Sequence, residues 1–212
     1  MTQPRARRLA WVFTTAAVAS IGFAACTASP SLPPIATPSP TPIATPDARD
    51  CPTTAPDPLP AGETRTVTIA TAKGTITIKV EADLGPRAAG NFVALAECGF
   101  YDGIVFHRVR PGFVIQGGDP LGTGFGGPGY EFDDDPVTVP YGRGVVAMAN
   151  AGTNTNGSQF FIVLADSGLD PNFSVFGRVT AGMETVDAIA AAADAENPTN
   201  PVVMDSVTVS NP

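Results

Sequence analysis

The feature that most constrains this chain is a series of short β-type segments separated by glycine turns. The first two, Thr66–Ala70 and Thr75–Val80, alternate apolar and polar side chains on either side of Lys73-Gly74. Such alternation predicts a two-stranded hairpin with one buried face. Further strands are predicted at residues 104–109, 113–116, 145–149, 160–164, 174–179 and 202–209.

Two helices interrupt this series. Pro86 opens the first, whose apolar residues Phe92 and Leu95 lie toward one side, and Gly99 ends it. The second is predicted over residues 183–193. Many short strands with two separated helices favour a mainly β fold, namely a closed, eight-stranded antiparallel β-barrel capped by two α-helices.

The N-terminus has the layout of a signal peptide. Arg5, Arg7 and Arg8 precede an uncharged apolar run from Leu9 to Ala25. Residues 1–25 are therefore predicted to be a secretory signal peptide. A retained transmembrane anchor is the alternative, because the run reaches the short limit of what spans a bilayer.

The end of this segment, Phe23-Ala24-Ala25-Cys26, resembles a bacterial lipobox, in which the cysteine is lipidated and becomes the new N-terminus. Phe23 departs from the usual leucine. The pattern predicts a lipoprotein that is anchored to the cell membrane through Cys26 and is extracytoplasmic.

Residues 26–61 are predicted to contain this anchor cysteine and a disordered Pro/Thr-rich linker. Half of the 22 prolines in the chain lie between Thr27 and Pro60. Such a segment cannot bury enough apolar surface to fold, and its extended reach is on the order of 100 Å. Residues 62–212 are long enough for one domain with a substantial core.

The charge balance excludes one class of partner. Of twelve basic residues, three lie in the predicted signal, which leaves nine against twenty acidic residues. No basic stripe remains to neutralise phosphates, so nucleic acid is not an expected partner.

The cysteines allow two interpretations. If Cys26 carries lipid, Cys51 and Cys98 remain as an even pair in an exported chain, where disulfides persist. They are therefore candidates for a disulfide; two separate thiols are the alternative, with Cys98 as a small buried hydrophobe. A metal site is not expected, because His107 is the only histidine and no Cys-x-x-Cys spacing occurs.

Two polar or glycine-rich stretches are predicted to be structural. Gly122–Tyr130 lacks the lysine of a phosphate-binding loop and is predicted to be a long surface loop. Asp133–Asp135 lacks the spacing of a calcium-binding loop and is predicted to be a solvated turn.

Two longer segments carry polar groups that an apolar core does not require: Phe106–Asp119 (FHRVRPGFVIQGGD) and Met148–Ile162 (MANAGTNTNGSQFFI). Together they resemble the two central motifs of the cyclophilin family of peptidyl-prolyl cis-trans isomerases. The resemblance extends from about Thr66 to Val209, and it implies the same barrel with two helices.

The resemblance also implies a mechanism. Rotation about a prolyl peptide bond breaks no covalent bond, so no cofactor, nucleophile or metal is expected. Arg108 would be the catalytic donor, whose guanidinium hydrogen-bonds the substrate and favours the twisted transition state; a surface ion pair is the alternative role for Arg108. The substrate-binding residues that the resemblance implies are Phe113, Val114, Gln116, Ala149, Asn150, Phe161, Leu169 and Phe173.

Strand alternation separates neighbouring residues in both motifs. His107 is predicted to be structural and to point away from the face that carries Arg108. Phe160 is predicted to lie in the core, because only one of two adjacent strand residues can face a pocket and the family pattern selects Phe161.

Several positions depart from the family pattern. The segment Ala165–Asp170 is one residue shorter than usual, and Gly168 stands where many cyclophilins have tryptophan or phenylalanine. Phe173 replaces a common histidine and Val114 a frequent methionine. These changes reshape the wall that grips the substrate, so we expect weak cyclosporin binding.

The predicted function is a peptidyl-prolyl cis-trans isomerase that assists the folding of exported proteins at the cell envelope. The expected partners are proline-containing peptides and unfolded exported proteins, and the protein is expected to be a monomer. The alternative is a proline-peptide binding module or envelope chaperone with weak or no isomerase activity. Arg108, Phe113, Gln116 and Phe161 favour the enzyme, whereas Gly168 favours the alternative.

Overall fold

A computed structural model describes residues 50–211, so the predicted signal peptide, the predicted lipidation of Cys26 and the linker up to residue 49 lie outside the described residues. No helix within this range is long and apolar enough to cross a membrane. The elements are β1 Thr64–Thr71, β2 Gly74–Glu81, α1 Pro86–Glu97, β3 Arg108–Arg110, β4 Val114–Gly117, β5 Val145–Met148, β6 Phe160–Val163, β7 Val175–Ala181, α2 Met183–Ala192 and β8 Ser206–Ser210.

The eight strands form one antiparallel sheet in the order β3-β4-β6-β5-β7-β2-β1-β8. The prediction of a closed barrel is wrong, because β3 and β8 are edge strands and the sheet is an open half-barrel. β3 has only three residues, and the segments that precede the two edges are joined by the bridge between Val105 and Val203 and by a few backbone hydrogen bonds around it. The strands β3 and β8 themselves are not paired, so the sheet stays open.

The predicted hairpin is present, with Ile69 opposite Ile76 and Val67 opposite Ile78 in β1 and β2. All four side chains are fully buried in the main core. Helix α1 packs against β1, β2, β7 and β8, whereas α2 packs against β2, β3 and β4. The two helices share β2 and otherwise cover different strands.

Helix α1 is centred on Phe92, which is fully buried. Its ring lies 5.2 Å from that of Tyr101, 5.1 Å from that of Phe160 and 4.8 Å from that of Phe176, measured between centroids. Aromatic pairs at such separations stabilise a core beyond the area that they bury. Phe92 therefore joins α1 to β6 and β7.

The N-terminus of α1 is capped from a distance. Gly85 at the N-cap has no side chain to offer, and the amide of Ala88 donates instead to Oδ2 of Asp135, at 2.9 Å. Asp135 is buried, and Arg87 lies 3.4 Å from its other carboxylate oxygen. The prediction of a solvated turn at residues 133–135 is therefore wrong for Asp135, because this carboxylate satisfies an unpaired amide of the first helical turn.

Residues 51–60 pack on the domain, although their composition suggested a linker as far as residue 61. A disulfide joins Cys51 to Cys98 at the end of α1. Leu59 is buried in the main core, and its amide donates to the carbonyl of Pro86 at 2.9 Å. A Cβ atom on Gly90 would collide with the carbonyl oxygen of Asp57, so glycine permits this close approach.

Candidate active site

The sheet register places three of the predicted site residues in one row. Arg108 of β3 lies opposite Gln116 of β4, and Gln116 lies opposite Phe161 of β6. Directly opposed residues on neighbouring strands project from the same face of a sheet. The short strands β3, β4 and β6 therefore bring together side chains that are up to 53 positions apart in sequence.

This row opens into a pocket of about 410 Å³. All nine residues that the sequence proposed for catalysis and substrate binding line it: Arg108, Phe113, Val114, Gln116, Ala149, Asn150, Phe161, Leu169 and Phe173. His107, Thr123, Gly124 and Asn197 complete its lining. The structure thus brings the proposed residues into one cavity with an apolar wall and a polar wall.

The apolar wall is built on a second cluster of buried residues, which lies on the opposite face of β6 from the main core. Phe161 belongs to this cluster, whereas Phe160 belongs to the main core, as strand alternation predicts. The rings of Phe161 and Phe173 meet edge to face, with centroids 5.5 Å apart. The guanidinium carbon of Arg110 lies 5.5 Å from the ring centroid of Phe113, on the pocket margin.

From the polar wall, a chain of hydrogen bonds between side chains leads away from the pocket. Nη1 of Arg108 donates to Oε1 of Gln116 at 3.3 Å, and Nε2 of Gln116 donates to Oε1 of Gln159 at 2.9 Å. Nε2 of Gln159 then donates to the carbonyls of Gly124 and Gly126, both at 2.9 Å. Sequence reasoning missed Gln159, because it lies just before β6 and its hydrogen-bond partners are distant in sequence.

Asp119 fixes the glycine-rich loop that meets this wall. Its buried carboxylate accepts from the backbone amides of Leu121, Thr123 and Gly124 at 2.7, 2.8 and 2.6 Å. Burial raises the pKa of Asp119, but the surrounding backbone amides outweigh it and hold the pKa below its ordinary value. The carboxylate therefore stays ionised and orders the loop.

A larger groove of about 550 Å³ continues from the pocket. The two cavities share Gln116, Gly124, Ala149 and Asn150, and the groove is bordered by the loop that was predicted to lie on the surface. Phe125 projects from this loop with 95% of its surface exposed. The pocket and the groove therefore form one continuous depression.

The rim segment of the pocket, which we define as residues 165–172 and which includes the shortened segment Ala165–Asp170, is held at both ends. Near its start, the amide of Ser167 donates to the carbonyl of Tyr141 at 3.1 Å. Near its end, Nδ2 of Asn150 donates to the carbonyl of Asn172 at 2.8 Å. Leu169 reaches the pocket lining, whereas Gly168 is exposed and a Cβ atom there would meet no atom within 4 Å.

His107 does not point away from the face of Arg108, because both residues line the same pocket. His107 precedes β3, so strict strand alternation does not apply to it. It is buried, and neither ring nitrogen has a hydrogen-bond partner among residues 50–211. Burial lowers the pKa of His107, which keeps the imidazole neutral near pH 7.

The sequence of this chain is similar to a family model and to several known proteins. Residues 66–209 match the family model described as cyclophilin type peptidyl-prolyl cis-trans isomerase. The chain is 44% identical over 170 residues to the probable peptidyl-prolyl cis-trans isomerase A of Mycobacterium leprae, which covers 68% of this chain and 92% of the relative. It is 41% identical over 186 residues to peptidyl-prolyl cis-trans isomerase A of Mycobacterium tuberculosis strain H37Rv, covering 76% and 99% of the two chains.

The fold is also similar to solved structures. A cyclophilin type peptidyl-prolyl cis-trans isomerase of Cryptosporidium parvum aligns with a TM-score of 0.66 and 35% identity, over 70% of this chain and 99% of that chain. The structure of the same Cryptosporidium protein in the presence of the dipeptide Ala-Pro aligns with a TM-score of 0.65 and 34% identity, covering 69% and 99%. The matching half-barrel and the extent of the sequence match show that this chain belongs to the cyclophilin-type peptidyl-prolyl cis-trans isomerases.

Proposed function

We propose that this isomerase acts through Arg108 and the 410 Å³ pocket, and that it assists the folding of exported proteins at the cell envelope. The observation that carries the catalytic part is the position of Arg108, which lines the same cavity as the apolar residues that suit a proline ring and directs Nη1 toward Gln116 of that lining. A cationic donor beside an apolar cavity is the combination that non-covalent prolyl isomerisation needs.

The proposed mechanism assigns a task to each wall. The proline ring enters between Phe113 and Phe161, where burial of its apolar surface contributes to binding. Gln116 and the backbone of Asn150 hold the flanking peptide. Nη1 of Arg108 donates to the substrate and approaches the prolyl nitrogen as amide resonance is lost, so the twisted state is stabilised more than either planar state.

Arg108 can do this without any proton transfer. Its guanidinium is planar and permanently charged, and it presents several N–H donors in a fixed fork. His107 lies beside it with a lowered pKa, and rotation of the amide requires neither an acid nor a base. We therefore assign His107 to the pocket wall and not to catalysis.

The envelope location is supported by residues outside the described range and by one covalent bond within it. Met1 to Ala25 has the layout of a secretory signal, and Phe23–Cys26 resembles a lipobox. The disulfide between Cys51 and Cys98 is of a kind that persists in oxidising compartments. Proline-limited folding steps take tens to hundreds of seconds without catalysis, which gives an isomerase work to do there.

A protease-coupled isomerisation assay on the full-length chain tests the catalytic part. The protein should accelerate the cis-to-trans conversion of an Ala-Pro tetrapeptide well above the uncatalysed rate. It should also shorten the slow refolding phase of an exported protein that has a cis-proline. Binding of the peptide with no acceleration would contradict the proposal and would favour the binding module, for which the open position beside Gly168 is the structural argument.

A further inference from the structure

The guanidinium of Arg108 has two edges with different partners. On one edge, Nε and Nη2 both lie 2.7 Å from Oε1 of Glu196. On the other edge, Nη1 faces Oε1 of Gln116 at the longer distance of 3.3 Å. The short contacts therefore lie on the edge away from Gln116, and the loosely held Nη1 lies on the polar wall of the pocket.

Glu196 comes from the loop between α2 and β8, and this loop is fixed to β3. The amide of Val109, the residue after Arg108, donates to the carbonyl of Glu196 at 2.7 Å. Within the loop, the amide of Thr199 donates to Oδ1 of Asp194 at 2.9 Å. Asn197, which directly follows Glu196, lines the pocket. The backbone of Glu196 therefore keeps its place beside Arg108 whatever side chain residue 196 carries.

The ion pair between Arg108 and Glu196 contributes little to the stability of the fold. The side chains are 33% and 50% exposed, and water screens pairs of this kind strongly. Its larger effect is on the freedom of Arg108, because a long side chain on a short edge strand otherwise samples many rotamers. A donor must be held close to its productive geometry to stabilise a transition state.

We propose that Glu196 is a positioning residue for Arg108: its carboxylate holds the Nε and Nη2 edge so that Nη1 faces the prolyl peptide. The inference rests on the proposed role of Arg108 as the donor. An opposite effect is also physically reasonable, in which the carboxylate competes with the substrate and slows the reaction. The two make opposite predictions for removal of the side chain.

The test compares kcat and KM of the full-length chain with those of Glu196→Ala and Glu196→Gln. Glu196→Ala should lower kcat about three- to tenfold with KM within about twofold, because binding is kept and alignment is lost. Glu196→Gln keeps an acceptor oxygen and should retain at least about half of the wild-type kcat. Glu97→Ala, which removes an exposed carboxylate from the end of α1, is the matched control and should behave as wild type.

A double variant shows whether Glu196 acts through Arg108. Adding Glu196→Ala to Arg108→Ala should cause no further loss beyond about twofold, because the residue to be positioned is already gone. A Glu196→Ala protein as fast as wild type, or faster, would overturn the inference, and so would an equal loss in the Arg108→Ala background. A wild-type rate for Arg108→Ala alone would instead remove the proposed donor, whatever Glu196 does.

Discussion

The hydroxyl of Tyr141 is bonded to both backbone groups of Phe173: it donates to the carbonyl at 2.9 Å and accepts from the amide at 3.0 Å. The N–H and C=O of an extended residue point the same way, so one hydroxyl takes the place of a partner strand. Because the carbonyl of Tyr141 also accepts from the amide of Ser167, Tyr141 holds both the start of the rim segment and the residue that follows its end. Phe173 is thereby placed against Phe161 without belonging to a strand.

Removal of this hydroxyl should weaken substrate binding more than catalysis. In Tyr141→Phe, we expect KM for a prolyl peptide to rise about three- to fivefold with kcat unchanged, because the pocket wall loses its register while Arg108 does not. The free energy of unfolding should fall by about 1–3 kcal/mol, since two backbone groups lose their partner. Tyr101→Phe, which removes a buried, hydrogen-bonded hydroxyl from a residue that lines neither cavity, controls for the loss of stability alone. Equal KM values for the two variants would contradict the role of Tyr141.

Replacement of the proposed donor should act on the transition state. We expect Arg108→Ala to lower kcat/KM by at least about tenfold while circular dichroism shows an intact fold. Arg108→Lys should also be impaired. The planar guanidinium bonds Gln116 on one edge and Glu196 on the other, and an ammonium group cannot reproduce this arrangement. A folded Arg108→Ala protein with wild-type kcat/KM would exclude Arg108 from the mechanism.

An aromatic side chain at residue 168 should close the open side of the pocket. A Cβ atom on Gly168 would meet no atom within 4 Å and the backbone angle is not left-handed, so a side chain can start there without backbone strain. The added contact is worth about 1–2 kcal/mol, and Gly168→Trp should tighten cyclosporin binding about tenfold or more. Gly168→Ala controls for the change in backbone freedom. Nanomolar binding of cyclosporin by the wild type would show that Leu169 and Phe173 already close this wall.

Burial of His107 should make stability depend on pH. A histidine whose pKa is lowered in the folded protein binds fewer protons there than in the unfolded chain. The free energy of unfolding therefore falls as the pH drops below 6.5, the ordinary pKa of histidine. Denaturant titrations between about pH 8 and 5 should show this loss in wild type and a smaller one in His107→Gln. The lowered pKa of Asp119 acts in the same direction only at more acidic pH. Identical slopes for the two proteins in this interval would contradict the effect of His107.

The proposed anchor can be tested by cell fractionation. A lipidated Cys26 carries more than one acyl chain, which binds membranes stably, so the protein should be found in the membrane fraction. Cys26→Ser should release it or leave uncleaved precursor, whereas Cys51→Ser should leave the anchor intact. An unmodified N-terminus at another residue, found by intact-mass analysis of wild type, would disprove lipidation.

Local patterns predicted much of the sheet and the lining of the pocket. Alternation located the β1–β2 hairpin and separated Phe160 from Phe161, because both depend on neighbours in sequence. Contacts between distant segments left no such signal. Glu196 lies 88 residues from Arg108, and Asp135 caps a helix that begins at Pro86, 49 residues earlier. The open sheet edge was missed for the same reason, since closure depends on how β3 and β8 meet in space.

The disulfide also determines how the domain would respond to a pull on its N-terminal end. Cys51 and Cys98 are 47 positions apart, and the bond between them closes a covalent loop that contains β1, β2 and α1. Tension applied before residue 51 would pass directly to Cys98 and bypass everything between the two cysteines. The hairpin and the first helix therefore cannot be unravelled from that end while the bond is intact, and force would reach the β3 side of the pocket first.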